Sequence, residues 1–171
     1  MADILVVEGF IPDYALMEAK EIFYRDNYRQ MIITGKVRIK GSQLDQYEND
    51  GLYSAATLVK TGFEESKISV VALDKDIRKD RTYCSALAVK EWLIKNNPET
   101  ASVNLLTIGC HARRSRMLFE RAFDDSIDVG VIAVRNQLYD PGSWWRSSAG
   151  FREVTEETIT WLYALLFFKP D

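Results

Sequence analysis

The residues with chemistry to offer gather behind one glycine. In the stretch 103–123, VNLLTIGCHARRSRMLFERAF, Gly109 is followed by Cys110, by His111 as the single histidine of the chain, and by Arg113, Arg114 and Arg116. An imidazole titrates near neutral pH and guanidinium groups hold oxyanions, so the set points to acid/base chemistry at a phosphate or carboxylate. Cations are mildly disfavoured at the positive end of a helix dipole, so arginines that open a helix call for a negative partner. That partner is either a bound anion or nearby Asp and Glu side chains on a solvated face. Glu8 or Asp76 is the acid expected to orient His111, since each falls just after a predicted strand.

Such side chains need a frame. Val103, Leu105, Leu106 and Ile108 make a short apolar run, and Ala112, Ser115, Phe119, Ala122 and Phe123 then share one helical face. A parallel strand feeding a helix leaves its turn at the carboxyl end of the sheet, where the unpaired N–H groups of the helix point outward. The anion is therefore expected on backbone N–H groups after Gly109, with Arg113 or Arg114 assisting. Around this unit the same alternation repeats. Residues 4–7 read as a strand ending in Glu8-Gly9, and a helix follows with Asp13 as its expected N-cap. Residues 31–33 form a second strand ending in Thr34-Gly35, and 36–51 a long polar loop that is either a lid or a plain surface excursion. A helix over 52–60 and a strand over 68–73 come next. A charged loop then leads to a helix over 82–97, capped by Thr82 or Asp80, whose Ala86, Val89 and Leu93 stripe is widened by Leu87 and Ile94. A fifth strand spans 127–134, an aromatic loop offers Trp144 or Trp145 as a site wall, and a last helix covers 154–168.

Five strands alternating with helices predict a single α/β domain over 1–171, three-layered and Rossmann-like, with a mainly parallel five-stranded sheet. Its ligands should bind at the strand carboxyl ends. With 47% apolar and 27% charged residues the chain falls outside disordered and fibrous classes. A net charge of −3 argues against nucleic acid as a partner and leaves a small anionic molecule as the expected ligand. Cys84 and Cys110 lack metal-site spacing, and the start of the chain lacks the pattern of a secretory signal, so a cytoplasmic, reducing location is expected. The apolar run 161–168 is too short to span a bilayer, and its stripe suits core packing or a homo-oligomer interface. Dinucleotide, P-loop and nucleophile-elbow glycine motifs are all absent.

Taken together, VVEGF, MIITGK, DRTYCSALAVKEWL, IGCHARRSRMLF and SWWRSSAGFREVTEETITWLY resemble the SanA/YdcF/ElyC-like family, the domain of unknown function numbered 218, over nearly the whole chain. The resemblance implies a Rossmann-like fold, a bacterial source, a link to cell-envelope biogenesis and S-adenosylmethionine as a ligand. It places the strand-end segments of the family on Glu8 and Gly9 and on Thr34 and Gly35, its polar-Thr pair on Arg81 and Thr82, and its histidine turn on His111 to Arg114. Two departures stand out. Glu8 replaces part of a glycine-rich strand end, and Tyr53, Ser54 and Ala55 stand where many members carry an acid, for which Glu48 or Asp50 is the substitute. Two function classes follow: an enzyme with His111 as acid/base, acting as a hydrolase or transferase on a phosphate-bearing substrate, or a module that holds an S-adenosylmethionine-like or nucleotide-like ligand unchanged.

Overall fold

Five short apolar runs, each followed by helix-forming sequence, build one parallel sheet covered on both faces. The computed structural model describes residues 2–37, 46–73, 79–124 and 126–169. In chain order the elements are β1 (Ile4–Glu8), α1 (Asp13–Arg25), β2 (Gln30–Gly35), α2 (Asp50–Lys60), β3 (Ile68–Ala72), α3 (Arg81–Asn96), β4 (Ser102–Ile108), α4 (His111–Phe123), β5 (Asp128–Val134) and α5 (Ser148–Leu166), with 3-10 turns at Glu65–Lys67 and Pro141–Arg146. The strands lie in the order β3-β2-β1-β4-β5 and every neighbouring pair is parallel. The fold is thus the three-layer, Rossmann-like α/β class that the alternation predicts.

Strand periodicity assigns the two faces. Odd residues of β1 and β2 (Leu5, Val7, Met31, Ile33) pack with Leu16 and Phe23 of α1 and Leu58 of α2. Even ones (Ile4, Val6, Ile32) pack with Ala86, Val89 and Leu93 of α3 and Phe119 and Phe123 of α4. Each fully buried side chain of this size contributes roughly 1.5–3 kcal/mol. Glu8 and Thr34 are register partners at the carboxyl edge, and by the same parity they fall on the α3/α4 side.

Three local expectations are corrected. Pro12, not Asp13, holds the N-cap position of α1 and gives no side-chain cap; Asp13 is the first helical residue, where its charge favours the dipole. Ile94 does not widen the α3 stripe, because it is 61% exposed, beyond the edge of the face that Val89 and Leu93 bury. Helix α5 starts six residues earlier than periodicity alone predicts, because Ser147 accepts a hydrogen bond from the Gly150 N–H and caps it. Among the described residues no helix is long and apolar enough to cross a membrane.

Candidate functional site

The strand order reverses between β1 and β4. Connections leave these two strands toward opposite sides of the sheet, which opens a crevice at their carboxyl ends. Glu8 ends β1 and Gly109-Cys110-His111 follows β4, so the two residues flank this opening. A cavity of about 640 Å³ lies there. Its floor is Glu8, Gly9, Thr34 and Gly35, its sides are the first turns of α2, α3 and α4, and its far wall is α5. The floor is tight at Gly9. The Gly9 N–H donates to the Thr34 carbonyl at 3.0 Å, Ser54 Oγ donates to the Gly9 carbonyl at 2.7 Å, and a Cβ on residue 9 would lie 2.2 Å from the Thr34 oxygen.

A charge cluster fills the α4 side of the cavity. His111 Nδ1 donates to Glu157 Oε1 at 2.9 Å, and Arg114 clasps the same carboxylate, Nε to Oε2 and Nη2 to Oε1, each at 3.0 Å. Two cations thereby share Oε1, and Nη2 lies 2.9 Å from Nδ1, a like-charge approach that Glu157 offsets. On the other side of the ring, Nε2 is 3.6 Å from Glu8 Oε2. That is an ion-pair distance too long for a hydrogen bond, and Nε2 has no hydrogen-bond partner among the described residues. Ser115 Oγ donates to Glu8 Oε2 at 3.0 Å. The side chains of His111, Glu8, Glu157 and Arg114 are 12%, 4%, 17% and 19% exposed.

Burial alone would push the His111 pKa down. The hydrogen bond to Glu157 and the charges of both carboxylates outweigh burial and raise it to about 9. Burial would likewise push Glu157 up, but its bonds to His111 and Arg114 hold it at about 2. His111 is therefore an imidazolium at neutral pH, not the near-neutral titrating group that its free pKa suggests. The pH dependence of stability follows. The His111 contribution is complete below about pH 6.5 and is lost as pH rises through about 9; the Glu157 contribution is complete above about 4.5 and is lost as pH falls through about 2. Because one contact underlies both, it counts once, on the order of 3 kcal/mol. Urea unfolding across pH 5–10 should show stability falling on the alkaline side, and His111→Gln should flatten that fall.

Eight of the residues singled out from the sequence, Glu8, Gly9, Thr34, Gly35, Arg81, Thr82, His111 and Arg114, line this one cavity. Arg113 and Trp145 are not part of its lining. The Arg113 guanidinium sits 3.5 Å from the centroid of the Trp161 ring, pinning α4 to α5, because one helical step turns it away from the faces of His111 and Arg114. Trp145 is 58% exposed and meets Trp144 edge to face on the 3-10 turn before α5. Asp76, the second candidate orienting acid, lies outside the described residues, as does Asp74. Of the expected anion cradle after Gly109, Arg114 is neutralised by Glu157 and the Gly109 N–H itself donates to the Val134 carbonyl at 2.8 Å, which leaves the amides of the first turn of α4.

A different cation is available. Arg81 opens α3, lines the cavity and has no ion-pair partner among the described residues. The expected cap of α3 is not made: Asp80 holds the N-cap position with a left-handed φ of 53° and no side-chain hydrogen bond, and Thr82 lies inside the helix. Cys110 likewise gives no side-chain cap to α4, so among the described residues amide donors of both first turns lack that partner at the crevice. Cys110 is not an activated thiol, because burial raises its pKa. Among the described residues no group of three His, Cys, Asp or Glu side chains is placed to hold a metal ion. Residue patterns missed Glu157, Ser115 and the cavity-lining Tyr83 and Tyr163. The one signal for Glu157 is its i,i+4 spacing to Trp161 on a helix that docks on α4, and that docking is a tertiary fact. No protein-family model and no curated protein matches the chain.

Proposed function

We propose that the crevice binds a small molecule carrying a phosphate-type anion and that the protein is a hydrolase or transferase acting on it. The observation that carries this reading is the pairing of α3 and α4 N-termini that their N-cap side chains leave open with an Arg81 that has no ion-pair partner among the described residues, around a cavity floored by Glu8. Amide donors and a guanidinium hold phosphate oxygens. Glu8, braced by Ser115 and the His111 imidazolium, is the group that takes a proton from the attacking water or hydroxyl. Ser115 itself is fully buried and serves as a brace, not as the nucleophile. The resemblance supports a bacterial role in cell-envelope metabolism, the cysteine usage and the lack of a signal pattern support a cytoplasmic one, and the exposed Ile159, Leu162 and Leu166 of α5 support a homo-oligomer through that helix.

A second reading, a module that holds an S-adenosylmethionine-like or nucleotide-like ligand unchanged, is favoured by the burial of His111, whose Nδ1 is bonded to Glu157 and whose Nε2 is closed off from solvent. Mass spectrometry of phosphate-bearing metabolites incubated with the protein separates the two. Turnover that Glu8→Gln abolishes supports the enzyme; a ligand recovered unchanged from wild type and from Glu8→Gln supports the module. In either case Arg81→Ala should weaken binding of that ligand roughly 10- to 100-fold, the worth of a hydrogen bond to a charged group, while Arg113→Ala leaves it unchanged.

A further inference from the structure

The far wall of the cavity changes character along α5. Glu156, Glu157 and Thr160 give way to Tyr163, Ala164 and Phe168 as the chain runs toward its last residues. Phe168 meets Tyr83 of α3 edge to face with ring centroids 5.2 Å apart, and both line the cavity. Arg121 of α4 donates to the carbonyls of Ala164 and Phe168, which fastens this end of α5 over the opening. Tyr163 also lines the cavity; its ring stacks on Phe167 with centroids 6.2 Å apart, yet the residue is 56% exposed, so protein does not enclose the ring. From Glu157 to Tyr163 the helix rises six residues, about 9 Å.

We infer that the occupant of this crevice carries a flat ring as well as its anionic group, and that Tyr163 stacks on the ring beside the Tyr83–Phe168 pair. The inference rests on the anion-site reading and narrows it to a ligand class. A bare phosphate or a short phosphorylated acid would leave the aromatic end wet, and the cavity volume lies within the roughly 300–1,000 Å³ of small-molecule pockets. Aromatic faces stack on flat heterocycles with little regard to their substituents, so the chemistry selects a ring without naming the base. The aromatic wall of the site is therefore on α3 and α5, and neither the half-buried Trp144 nor the exposed Trp145 is part of the lining.

Calorimetry with AMP, ribose 5-phosphate and adenosine tests this. The full chain should bind AMP at least about tenfold more tightly than ribose 5-phosphate, and Tyr163→Ala should cost AMP roughly fivefold to hundredfold, the range of base–aromatic stacking, while leaving ribose 5-phosphate unchanged. Tyr163 is exposed enough for this change to spare the fold, and an unaltered melting temperature checks that; Tyr83→Leu is a second probe of the same wall. Equal affinity for AMP and ribose 5-phosphate, or AMP binding indifferent to both variants, overturns the ring while sparing the anion site. Adenosine binding as tightly as AMP, with Arg81→Ala harmless, upholds the ring and overturns the anion site. Binding of none of the three at millimolar concentration overturns both.

Discussion

Glu157→Gln is expected to destabilise the protein by roughly 3 kcal/mol at pH 7, at the lower end of the cost of removing one partner from a buried ion cluster. The reason is local. Glu157 neutralises two cations at once, and its loss leaves His111 and Arg114 facing each other at 2.9 Å, with Glu8 Oε2 3.6 Å from His111 Nε2. His111 then sheds its proton nearer neutrality, because the carboxylate charge that held its imidazolium is gone. For a chain of this length the melting temperature should fall by roughly 6–12 °C. Arg114→Lys, which keeps the charge but loses the two-pronged grip, should cost less. A melting temperature within about 1 °C of wild type for Glu157→Gln would show that the cluster does not hold α5 to α4.

The second large effect is expected at Gly9. In Gly9→Ala the new methyl would meet the Thr34 carbonyl oxygen at 2.2 Å and Gly51 Cα at 3.0 Å, and both are backbone atoms that cannot turn aside. Either β1 and β2 part at their carboxyl ends or α2 withdraws, so a loss of roughly 3 kcal/mol or more is expected, at or above the usual cost of overpacking. Binding at the crevice should fail with it, because Gly9 is part of the floor. Gly142→Ala is the matched control. Its nearest neighbours are the Asp140 carboxylate oxygens at 3.6 and 3.8 Å, so it should leave stability within about 0.5 kcal/mol in urea melts.

How far the sequence reveals this site depends on the kind of evidence each residue needs. Glu8 and His111 are legible because each follows an apolar run, and in a parallel sheet both must then lie at the same edge. Their position astride the β1/β4 reversal is not legible, since strand order is a property of crossovers and not of runs. Arg113 and Arg114 are neighbours with the same chemistry; only the docking of α5 on α4 decides that one meets Glu157 and the other Trp161. Glu157 escapes notice because the apolar stripe of its helix dominates the pattern, yet the polar turn that carries it reaches the cavity beside Tyr163 and Ala164. Trp145 misleads in the opposite way, offering a large ring in a loop that folds outward, while Tyr163, less conspicuous among Leu162, Leu165 and Leu166, lies on the wall.

The crevice holds an imidazolium wedged between two carboxylates, and the proposed ligand enters beside it. Since the chain has a single histidine, NMR of histidine-labelled protein reports on it without assignment. The His111 ring should titrate with a midpoint near 9, and saturating AMP should move its resonances at pH 7. A midpoint at the ordinary 6.5, with resonances that AMP leaves in place, would contradict both the charge cluster and the site built around it.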